Sequence, residues 1–70
     1  MKYDTSMLKL NVKKIEFELK RLGWNQSRLA EETGMTRQGV SIALIRQATL
    51  LRTIDKFAKA LGVHPRDLLK

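Results

Sequence analysis

The sequence predicts an all-α fold, a compact bundle of five short helices. Three observations lead there. Apolar residues recur at spacings of three and four along most of the chain, the period of a helix with one buried face. Capping residues and glycines cut that pattern into short lengths. No stretch alternates apolar and polar residues as a half-buried strand does, and there is no internal repeat or low-complexity tract.

Each helix has a start and a stop. Asn11 is a good N-cap, and Val12, Ile15, Leu19 and Leu22 follow on one face. Gly23 closes this first helix, and Phe17 lies off its apolar stripe. Asn25 caps a short second helix with Leu29 and Ala30 inward and Glu31 and Glu32 outward, and Gly34 ends it. Thr36 caps a third helix over residues 37–45. Thr49 is the expected cap of a fourth, whose inward residues are Leu50 or Leu51, Ile54, Phe57, Ala58 and Leu61, with Gly62 as its stop. His64 caps a last helical turn in which Pro65 takes the first position, where a missing N–H costs nothing, and Asp67 suits the positive end of the dipole. Residues 1–7 read as a loosely held arm, and the chain divides into an arm over 1–10 and a domain over 11–70.

Composition narrows the function classes. Seventy residues make one domain with a small core. With no cysteine and a single histidine, neither disulfides nor a metal cluster is expected. No apolar run approaches the length of about 20 residues that spans a bilayer, and the first residues lack a signal-peptide core, so a soluble cytoplasmic protein is expected. Fourteen Lys and Arg against seven Asp and Glu leave a net charge of +7, which points to a polyanionic partner. The excess is uneven: residues 33–54 contain no acid but include Arg37, Arg46 and Arg52. No nucleophile–base pair, paired carboxylates or Gly-rich phosphate loop appears, so neither an enzyme nor a cofactor is predicted, and no small-molecule ligand is evident.

Only Gly34, Met35 and Thr36 join the second and third helices, the spacing of a helix-turn-helix. Ala30 has to be small where the third helix crosses it, and Val40 anchors that helix beside Leu29, Met35 and Ala43. The stretch "NQSRLAEETGMTRQGVSIAL" resembles the helix-turn-helix of the Cro/C1-type, or XRE, family, a lambda-repressor-like DNA-binding domain. The tail "RTIDKFAKALGVHPRDLL" is similar to that family's last two helices, so the resemblance covers roughly residues 11–69. It implies a sequence-specific regulator, a small Cro-like repressor, binding a pseudo-palindromic site in double-stranded DNA. Thr36, Arg37, Gln38 and Ile42 would face bases in the major groove, while Gln26, Ser41 and Arg46 would hold phosphates. The side-chain chemistry agrees: Arg grips guanine O6 and N7, Gln grips adenine N6 and N7, and Ile covers a thymine methyl. Gly39 keeps the helix surface low for a close approach to DNA. No sensor domain is expected, so regulation would come from protein level, competition or a partner.

Two departures from the family pattern matter. A polar "ENG" often follows the family's third helix, and its Glu pairs with an Arg in the first helix. Here Leu44, Ile45 and Arg46 stand at those positions, and Leu19 stands where the arginine would be. A buried ion pair exchanged for two leucines loses little when both partners change together. Leu44 is therefore expected in the core with Leu19. The remaining exposed apolar residues, Ile45 and one of Leu50 and Leu51, leave room for a homodimer contact. They also leave room for an alternative in which the same fold, as an antitoxin or anti-repressor, binds another protein.

Overall fold

The computed structural model describes residues 7–70, so most of the predicted arm, residues 1–6, lies outside the described part. In chain order the elements are β1 (Leu8–Lys9), α1 (Val12–Leu22), α2 (Gln26–Thr33), α3 (Arg37–Arg46), β2 (Ala48–Thr49), α4 (Leu51–Leu61) and a 3₁₀ turn (Pro65–Leu68). Among the described residues there are thus four α-helices rather than five, with a short antiparallel strand pair.

The caps form where the local chemistry asks for them. The Asn11 side chain accepts the Lys14 N–H at 3.1 Å, and that of Asn25 accepts the Arg28 N–H at 2.9 Å. His64 Nδ1 accepts the Arg66 N–H at 3.3 Å. A side chain at Gly34 would meet nothing within 4 Å, yet its φ is +73°. Glycine is needed there for the left-handed backbone and not for space.

Two expectations are corrected. The last helix is one 3₁₀ turn of four residues, because Pro65 starts it and Leu68 is already drawn fully into the core. Thr49 does not cap α4. It is buried in β2 opposite Leu8, which suits a β-branched residue, and Leu50 takes the cap position with no side-chain bond.

The fold also reaches into the stretch assigned to the arm. Leu8 and Lys9 pair with Thr49 and Ala48, and Leu10 is fully buried. The Leu10 N–H donates to Gln47 O at 2.8 Å, and the Asn11 N–H donates to Leu68 O at 2.7 Å. The Lys70 N–H donates to Lys9 O at 3.1 Å. Residues 8–11 are therefore laced between the end of α3 and residues 68–70.

One core joins all these elements. It is built from Leu10, Ile15, Leu19, Leu29, Ala30, Val40, Ala43, Leu44, Ile54, Phe57, Ala58, Leu61 and Leu68. Leu19 and Leu44 both lie in it, as expected. Leu50 is half-buried and Leu51 exposed, which settles which leucine of that pair faces inward.

A charge is buried beside this core. Glu18 on α1 is only 3% exposed. It is satisfied on both sides, by Lys14 Nζ at 2.8 Å and Arg21 Nε at 2.6 Å. Arg21 also donates from Nη2 to Leu61 O at 3.3 Å, tying the end of α1 to the end of α4. Hydrogen bonds from Lys14 and then Arg21 hold the Glu18 carboxyl below its ordinary value of 4.5, against the opposing effect of burial.

A carboxylate whose pKa is lowered by folding contributes stability above its unfolded value and loses it as pH falls through the folded one. Glu18→Gln is therefore expected to be less stable than the parent at neutral pH. The gap should close as pH drops from about 4.5 downward, where Glu18 itself becomes neutral; urea denaturation along a pH series checks this. Leu44→Glu is expected to cost roughly 3–5 kcal/mol, the range for an uncompensated buried charge. Leu19→Arg combined with Leu44→Glu should recover part of that loss in thermal unfolding, and a double variant no better than the singles would refute the exchange.

Candidate nucleic-acid interface

The helix-turn-helix pair sets the orientation of α3. Its buried side is Val40, Ala43 and Leu44, and α2 contributes Leu29 and Ala30 to the same core. The Met35 N–H donates to Ala30 O at 3.0 Å, which fixes the turn against the end of α2. With those residues inward, Arg37, Gln38, Ile42, Ile45 and Arg46 are all exposed, and Ser41 is half-buried between the two sides.

Thr36 occupies the cap. Its Oγ1 accepts the Gly39 N–H at 3.0 Å, so the oxygen is committed while the hydroxyl hydrogen remains able to donate. That cap gives Gly39 a further role beyond a low surface. A Cβ there would lie 3.2 Å from Thr36 Oγ1 and 3.6 Å from Met35 Cε. Glycine leaves room for the capping hydroxyl to sit where the helix needs it.

The charged residues divide clearly. Arg28 is engaged within α2, bonded to Glu32 Oε2 at 2.8 Å and stacked 4.9 Å from the centre of the Trp24 ring. Arg37, Arg46 and Arg52 form no ion pair among the described residues. The first turn of α2 contains no acid, nor does that of α3. Gln26 is half-buried at the first position of α2, beside backbone N–H groups of the kind that donate to phosphate oxygens.

The predicted base-facing residues Thr36, Arg37, Gln38 and Ile42 therefore fall together on the first two turns of α3, all exposed. Ser41 and Arg46 share that helix, and Gln26 stands on the neighbouring one. Ile45, expected to be exposed, is 76% exposed, the most open of the large apolar side chains described. One feature escaped the residue-by-residue reading. Gln47 closes α3 with a φ of +55°, a conformation ordinary side chains rarely take, and nothing in its residue type announced that.

A helix-turn-helix held on a small helical core, with an acid-free outer helix, is the architecture of a DNA-binding domain. The chain belongs to the Cro/C1-type HTH DNA-binding domain family, which matches residues 14–70. No curated protein and no solved structure matches it significantly. No helix among the described residues is long and apolar enough to cross a membrane.

The Thr36 cap can be tested apart from any ligand. Thr36→Ala is expected to lower stability by about 1 kcal/mol, the usual value of such a cap, while Thr36→Ser keeps most of it. Urea denaturation of the free protein checks both.

Proposed function

We propose that the protein is a sequence-specific regulator of transcription, of the small Cro or repressor kind, that lays α3 in the major groove of a pseudo-palindromic operator. One observation carries this reading. Arg37 and Gln38, the two side chains best suited to bidentate base contacts, are exposed at the start of α3 and make no side-chain hydrogen bond or ion pair among the described residues. Leaving both open gives the free protein nothing, whereas each good bidentate contact is worth about 1–3 kcal/mol of discrimination between bases.

The remaining roles follow from position. Thr36 donates its free hydroxyl hydrogen, Ile42 covers a thymine methyl, and Gln26, Ser41 and Arg46 hold phosphates on either side. Two copies would place their third helices about 34–36 Å apart in successive major grooves. A second reading, a protein-binding module such as an antitoxin or anti-repressor, draws support from the exposure of Ile42 and Ile45 on the same helix. Salt separates the two. Phosphate contacts make the logarithm of affinity fall with log salt by about 0.9 per contact, and a protein partner has no such slope built in.

Selection from a randomised duplex pool is expected to return a two-fold-symmetric motif. Against that motif, Arg37→Ala should relax preference at one base pair per half-site, whereas Gln26→Ala should weaken binding to all sequences alike. An unchanged motif for Arg37→Ala would mean that α3 does not dock as described.

A further inference from the structure

Gln38, Ile42 and Ile45 lie four and then three residues apart, so they form one line along the outer side of α3, opposite Val40, Ala43 and Leu44. Exposure rises along this line, from 42% at Ile42 to 76% at Ile45. Phe17 and Leu51 are also open, but Ile45 is the one that continues the line of Gln38 and Ile42 on the acid-free helix. We propose that Ile45 is a further specificity-determining residue, extending the base-reading line of α3 by one turn and packing on a second thymine methyl. This rests on the DNA-binding reading above.

Geometry and charge favour DNA as the occupant. At a rise of 1.5 Å per residue, Gln38 and Ile45 are separated by roughly 10 Å along the helix. That is about three base-pair steps of 3.4 Å, within the span a helix covers in the major groove. The C5-methyl of thymine is the apolar group that the groove presents. Arg46 adjoins Ile45, Arg37 stands at the other end of the helix, and residues 33–54 hold no acid. A second copy meeting this face with its own would bring the same cations against these, which opposes self-association there. A duplex brings phosphates to the arginines and methyls to the isoleucines.

The test removes single methyl groups from the DNA. In duplexes carrying the selected motif, each thymine is replaced in turn by deoxyuridine, and affinity is measured for the parent, Ile42→Ala and Ile45→Ala. The parent is expected to lose about three- to five-fold at two positions per half-site, the worth of roughly one buried methyl group. One position should become insensitive in Ile42→Ala, and the other in Ile45→Ala. Ile45 is exposed enough for the variant to fold, which thermal unfolding confirms independently.

Failure of the two ideas looks different. A pool that stays random under selection overturns the DNA-reading function and Ile45 with it. A motif that appears, with an Ile45→Ala uracil profile identical to the parent's, overturns the role of Ile45 alone. So does an Ile45→Ala variant that is monomeric where the free parent is dimeric, since Ile45 then covers a second copy.

Discussion

A chain of 70 residues without a cysteine has to hold itself together with one small core. That constraint explains why residues far apart in sequence are drawn into it. Leu10 and Leu68 are as fully buried as Ile15, Leu29 and Phe57, and their backbones are bonded to one another's neighbourhood through Asn11 and Lys9. Four helices alone would leave this end of the core open to water. The strand residues close it, at the cost of ordering a few more residues, each worth about 1–2 kcal/mol of backbone entropy.

The same closure bears on the outer helix. α3 is held on its inner side by Val40, Ala43 and Leu44, at its start by the Thr36 cap, and at its end by Gln47. The left-handed turn at Gln47 is unfavourable for a residue with a Cβ. Its carbonyl accepts the Leu10 N–H, and its own N–H donates to Leu44 O at 3.3 Å. Three fixings on a twelve-residue stretch leave the outward line of Gln38, Ile42 and Ile45 with little freedom to rotate. Rigid presentation lowers the ordering cost of binding, so the core and the proposed interface are parts of one arrangement.

Much of this was legible in the residues, for a physical reason. Asn11, Asn25, Thr36 and His64 act through hydrogen bonds to groups two or three residues away, and such local bonds are written in local sequence. The inward face of α4 was legible because its period is long enough to read. The strand pair was not, since two residues cannot show an alternation and the partners are about forty positions apart. Thr49 carried the chemistry of a cap and was claimed by that distant pairing instead. Glu18 was hidden for another reason: a carboxylate looks like surface until its cations at Lys14 and Arg21 are seen to enclose it. At the interface, exposure of Thr36, Arg37, Gln38 and Ile42 followed from which residues faced inward, whereas their roles came from family resemblance.

The lacing of residues 8–11 also sets an order of events during synthesis. Helices α1 to α4 are made of contacts close in sequence and can begin to assemble as each emerges from the ribosome. Leu10 is among the first core residues out, but its N–H is held by Gln47 O, and its neighbours Asn11 and Lys9 are bonded to Leu68 and Lys70. Its burial waits for the far end of the domain. Until then the nascent domain carries an unclosed apolar edge, which residues 68–70 shut as they emerge.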